Sequence, residues 1–184
     1  KKIGMLHAFR GIFGEKNVYN FDYLEQQRRG YEIEFVNMAF LKAVEQARPD
    51  WIFLQVQDTG VLTAETILEA KRQNPKTVIS HWTGDARPAI SPYLQSICKA
   101  TDLTLVSNVG QLPNYRDCGA KIAQYMQIGV DWHEDVMGEP DWTPPFRVPD
   151  VVFIGSYYGE MFPEGSAERL SAIRTLMAAG IDIG

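Results

Sequence analysis

Thiol chemistry is nearly missing from this chain. Its 2 cysteines, Cys98 and Cys118, share no CxxC spacing, which leaves out a thioredoxin-like redox pair, a zinc ribbon and a disulfide-stapled fold. Both read as reduced, mostly buried thiols. Long apolar runs are missing too, and none approaches the roughly 20 residues of a membrane span. No signal-peptide pattern opens the chain, since Lys1-Lys2 runs straight into Ile3-Gly4-Met5-Leu6. A cytoplasmic location is the resulting expectation, and the lack of an initial Met leaves room for residues upstream. Positive charge is in deficit, with 18 Lys+Arg against 23 Asp+Glu and a net charge of -5. A broad grip on nucleic-acid phosphates is therefore disfavoured, although nucleic acid stays open as a substrate that is acted upon. Walker A, GxGxxG and GxSxG motifs are all absent. His81 and Asp85 have i, i+4 spacing, but Gly84 and Pro88 work against a helical metal pair there, so no metal site is expected.

What is present is an apolar content of 45% over 184 residues, enough to bury roughly 68–70% of the unfolded surface. Short runs that are apolar on both faces suggest buried parallel strands: Ile3 to Ala8, Trp51 to Val56, Thr77 to Ser80, Leu103 to Ser107 and Ile122 to Gln127. Between them Val36, Phe40, Ala43, Val44 and Ala47 recur at helical spacing, and Pro49 stops that helix. Ile33 and Phe35 also alternate as a strand would, yet helix from near Glu32 is the reading taken. Thr63 is an expected N-cap with Glu65 in the first turn. Ser91-Pro92 places a capping hydroxyl before a helix-opening proline, and Gly119 is expected to close the next helix. The alternation predicts an α/β fold with a Rossmann-like, doubly wound parallel sheet.

Ligands of open parallel sheets bind beyond the carboxyl ends of the strands, and that rule selects the candidate residues. The first expected strand runs into His7, Arg10 and Gly11, the second into Gln57 and Asp58, and the fourth into Asn108. The third is densest, with His81, Trp82, Asp85 and Arg87 around Gly84. His81 is a candidate general base or sugar hydrogen-bonder, Trp82 a stacking platform and Arg87 a phosphate contact. The plainer alternatives are an Asp85–Arg87 pair, a core Trp82 and a buried His7; His133 reads as solvated.

A Pro-rich run, Pro140-Asp141-Trp142-Thr143-Pro144-Pro145, precedes a second start: an apolar stretch Val151-Val152-Phe153-Ile154, the turn Gly155-Ser156, a helix from Ser166 to Ala179 and a strand opening at Ile181. Residues 1–131 form the first expected domain, 132–149 an acidic, Pro-rich linker, and 150–184 the opening of another Rossmann-like domain. Two such strands and one helix bury little on their own. The gene is expected to continue for roughly another 120–200 residues, one ordinary domain.

Taken together, Arg48-Pro-Asp-Trp-Ile-Phe-Leu-Gln-Val-Gln57, Val78-Ile-Ser-His-Trp-Thr-Gly-Asp-Ala-Arg87, Gln127-Ile-Gly-Val-Asp131 and the restart Val151-Val-Phe-Ile-Gly-Ser156 resemble the CgeB-like, spore-maturation-type group of GT-B glycosyltransferases. The resemblance implies an acceptor-side first domain and a donor-side second one, with metal-independent transfer of a hexosyl-type sugar from a nucleotide-sugar to an unknown hydroxyl. It puts His81 where several such enzymes carry a histidine facing the reaction centre. His81 and, from the strand-end reading, Asp85 are the catalytic candidates; His7, Arg10, Gly11, Asp58, Trp82, Arg87 and Asn108 at the strand ends are the candidate substrate contacts. Gly155 and Ser156 would meet the donor phosphates. No cofactor beyond the nucleotide-sugar substrate is implied. The nucleotide-gripping residues of such enzymes would follow Gly184, so the chain alone is expected to be inactive. A non-catalytic sugar- or nucleotide-binding module and a nucleotide-sugar epimerase are the alternative functions.

Overall fold

The computed structural model describes residues 4–127, 129, 150–151, 159 and 163–183, and the chain divides into two compact units, Lys1–Val136 and Met137–Gly184. The first unit is α/β. It contains α1 (Gly4–Phe13), α2 (Tyr23–Arg28), α3 (Ile33–Ala47), β1 (Trp51–Leu54), α4 (Ala64–Gln73), β2 (Val78–Thr83), α5 (Pro92–Ala100), β3 (Leu103–Val106), α6 (Leu112–Asp117) and β4 (Ala123–Tyr125). The second contains α7 (Pro163–Ala178).

All four strands are parallel and lie in the order β1-β2-β3-β4, with Leu54 opposite His81 and His81 opposite Thr104. A doubly wound sheet reverses its order at a switch point; the described strands do not. Each crossover steps the same way, and right-handed connections then put successive helices on one face. The main core agrees: Ile52 and Leu54 of β1 and Ile79 of β2 pack with Phe40 and Val44 of α3, Ile67 of α4 and Ile97 of α5. A second cluster joins Leu94 and Cys98 to Val106, Tyr115 and Ala123.

The expected first strand, Ile3 to Ala8, is corrected by the structure: Gly4–Phe13 is α-helix. A six-residue apolar run suits strand and helix equally, and here tertiary packing decides. Phe9 meets Trp51 and Phe53 edge-on, at ring-centroid distances of 5.4 and 5.1 Å, and Phe13 meets Trp51 at 6.0 Å. Spaced four residues apart, the two rings share one side of a helix, and α1 lies across the side of β1 away from the main core.

Local signals set the other helices. Thr63 accepts from the Thr66 amide at 3.2 Å, and Ser91 from the Leu94 amide at 3.2 Å ahead of Pro92. Glu65 opens α4, while Lys71 and Arg72 close it, each complementing the helix dipole. α3 ends at Arg48, whose φ of 44° is left-handed, just before Pro49. Gly119 takes a φ of 94° immediately beyond α6. In the second unit Val151 bridges Ile183 in parallel, and the Val151 amide donates to the Asp182 carbonyl at 3.1 Å.

Candidate functional site

Loops leaving β1, β2 and β3 lock together at the carboxyl edge of the sheet. Arg87, beyond β2, donates from Nη2 to Gln57 Oε1, beyond β1, at 2.9 Å. Its backbone is clamped from the β3 side: the Arg87 amide donates to Gln111 Oε1 at 3.2 Å, and Gln111 Nε2 donates back to the Arg87 carbonyl. Ser107 Oγ donates to the Gly84 carbonyl at 2.6 Å. Ser91 Oγ donates to Asp58 Oδ1 at 2.8 Å, joining the start of α5 to the β1 exit. Three loops thus hold one another through side chains rather than through ladder bonds.

Asp85 and Arg87 form the charged pair of this edge, Asp85 Oδ2 lying 3.5 Å from Arg87 Nη2. Their environments differ: the Asp85 side chain is 72% exposed and that of Arg87 only 19%. Arg87 Nε is buried and has no hydrogen-bond partner among the described residues.

His81 lies inward of the edge, with no exposed surface. Strand alternation puts it on the same face as Ile79, and its Nε2 lies 2.8 Å from the Val56 carbonyl. A carbonyl only accepts, so Nε2 carries the proton and Nδ1 is left with a lone pair. Burial pushes the imidazole below its usual pKa; the Val56 hydrogen bond opposes this, and the Arg87 charge adds to it. A neutral His81 therefore fixes the first residues beyond β1 and presents nothing to a ligand in this structure. Tyr93 braces the same loop, donating to the Leu62 carbonyl at 2.7 Å, and burial raises its hydroxyl to about 12.

Trp82 is likewise buried, on the opposite face, not offered as a stacking platform. A Cβ on Gly84 would sit 2.6 Å from the Trp82 ring, so only glycine lets the β2 exit fold over that indole. Asn108 accepts from the Gly110 amide at 2.9 Å and caps the short turn Val109–Gln111. Asp58 and Asn108 stay exposed at the carboxyl edge. His7, Arg10 and Gly11 belong to α1 instead of a strand-exit loop, and Arg10 lies 4.0 Å from Glu15. Gly155 and Ser156, the expected donor contacts, lie outside the described residues. Among the described residues no three of His, Cys, Asp and Glu gather as a metal cage would require.

Gln57, Ser107 and Gln111 build this edge, and the sequence reading assigns none of them a binding or catalytic role. The strand-end rule does reach Gln57, at the exit of the second expected strand. Gln111 clamps a residue 24 positions away, and nothing local in the sequence marks such a partner. No family model matches the chain, and neither does any curated protein.

Proposed function

We propose that this chain supplies the acceptor-binding side of a GT-B-type glycosyltransferase, one that moves a sugar from a nucleotide-sugar to a hydroxyl. The observation that supports this most is the interlocked carboxyl edge, where an exposed carboxylate stands beside a guanidinium fixed from two neighbouring strands. In this reading Asp85 is the base. The acceptor oxygen forms its bond to the anomeric carbon, the bond from that carbon to the diphosphate breaks, and the hydroxyl proton passes to the Asp85 carboxylate. Arg87 orients the acceptor, and Asp58 and Asn108 supply further polar contacts at the rim.

Burial of His81 favours one other reading. With the imidazole engaged by Val56, no histidine is offered to acid–base chemistry at this edge, and a non-catalytic sugar- or nucleotide-binding module needs none.

Release of nucleoside diphosphate from uridine and guanosine diphosphate sugars, measured on the whole gene product, separates the two. Asp85→Asn is expected to lower turnover by about 10²–10⁴ while leaving the melting temperature unchanged, because the side chain is exposed. Unchanged turnover in Asp85→Asn removes the base. Binding of a nucleotide-sugar without turnover selects the module.

A further inference from the structure

Arg87 is held in place more firmly than its own charge requires, and most of its hydrogen-bonding capacity is unspent. Its backbone is clamped in both directions by Gln111 and one arm of its fork is tied to Gln57. A guanidinium carries five N–H donors, and among the described residues that bond to Gln57 is the one side-chain hydrogen bond it makes. Nε is buried and has no hydrogen-bond partner among the described residues. Its only anionic neighbour among the described residues, Asp85, makes an ion pair at 3.5 Å but no hydrogen bond, from a side chain left mostly in solvent. Exposed pairs of this kind contribute little, roughly 0–1 kcal/mol. A planar fork that is fixed, largely desolvated and weakly neutralised is preorganised for a two-oxygen anion.

We propose that Arg87 is the receptor for an oxyanion, phosphate or carboxylate, carried by the ligand of this edge, and that Asp85 is its resting counter-ion. The incoming oxyanion takes Asp85's place at the guanidinium. Asp85 is then released toward the rim, where its lone pairs face the ligand instead of Arg87. This builds on the assignment of the carboxyl edge as the ligand site and adds two things to it: the ligand bears negative charge, and binding that charge frees the carboxylate.

The test is calorimetric titration of the 184-residue chain with inorganic phosphate, with glucuronate and with methyl glucoside, near physiological ionic strength of about 0.15 M. Either anion is expected to bind and the neutral glucoside to bind far more weakly; which anion binds more tightly identifies the phosphoryl or the carboxylate source. Asp85→Asn removes the competing charge and is expected to tighten anion binding about two- to fivefold, the size of an exposed pair. Arg87→Gln, checked for an unchanged melting curve, is expected to weaken it at least about tenfold. Arg87→Lys keeps the charge without the fork and should fall between, which preserves the test if Arg87→Gln does not fold. Equal anion affinity in wild type and Asp85→Asn overturns the proposal, as does absence of anion binding in both. The transferase reading fails separately: Arg87-dependent anion binding with no turnover of any nucleotide-sugar removes the enzyme and leaves the receptor, whereas turnover without such binding does the reverse.

Discussion

His81 shows how a residue type that reads as chemistry becomes architecture. Sequence places it at the end of a strand, where a histidine has reason to be catalytic; the structure turns it inward, onto the Val56 carbonyl, with no exposed surface. Alternation along β2 decides this, because residues 79, 81 and 83 share the face that the helices cover. The consequence is a pH dependence of stability. Burial, and secondarily the Arg87 charge, hold the folded-state pKa below the ordinary value, so the folded state binds fewer protons than the unfolded chain. Its contribution is complete above the unfolded value of about 6.5 and is lost as pH falls through the folded one. Urea unfolding of the wild type is therefore expected to show stability declining between about pH 7 and pH 5. His81→Gln, which keeps an N–H donor but cannot titrate, should decline less across the same window. Parallel pH curves for the two proteins would refute the assignment. The substitution should also move the melting temperature more than it moves any turnover.

At the scale of elements, the two ends of the sheet carry different duties. The amino edge is closed by structural bonds: Thr77 Oγ1 donates to the Pro49 carbonyl at 2.6 Å, and Lys71 Nζ to the Thr77 carbonyl at 2.6 Å. Asp102 gathers the rest, accepting from the Ile79 amide at 3.0 Å, Lys71 at 2.8 Å and Lys121 at 3.3 Å. Burial alone would raise the Asp102 pKa, but those three donors together hold it below the usual carboxylate value. Its stabilisation is present above the unfolded value of about 3.9 and is lost as pH falls through the lower folded one. Asp102→Asn is thus expected to lower the melting temperature at neutral pH, with the gap closing below about pH 4. Ligand binding at the opposite edge should be unaffected, and a loss of anion affinity in this variant would show that the two edges are not separable. The elements themselves were legible where side chains signal to their own backbone. Thr63 and Ser91 announce α4 and α5 by capping, and Val36, Phe40 and Val44 announce α3 by spacing. Ile3 to Ala8 was not legible, because its partners, Trp51 and Phe53, lie more than forty positions away. The site was legible as far as the strand-end rule reaches, to Asp58, Asp85 and Arg87. Its clamp was not, since Gln111 acts at long range.

For the whole molecule the question is which unit carries the folding cooperativity. In the first, four parallel strands and the helices packed on them enclose a continuous core from Phe40 to Ile97, and a second cluster extends it to Ala123. The sheet's other face is more open: Trp51 and Val78 keep 39% and 47% of their surface, with α1 laid across β1. One well-packed face, with every described strand paired, is enough for a unit of this size to fold by itself. The second unit offers much less. Ser166 is the one buried residue of α7, and among the described residues Val151 and Ile183 meet in one parallel bridge. Among the described residues a helix that buries so little gains little from packing, and helices of this length are marginal in water without it; one bridge adds little to that. A fragment of residues 1–136 is therefore expected to melt in one cooperative transition, followed by circular dichroism at 222 nm. A fragment of residues 137–184 should show weak helicity that fades gradually with temperature. A broad melt of the first fragment would mean that its core is incomplete without the second. A sharp, cooperative melt of the second would mean that α7 is held by packing beyond the contacts described.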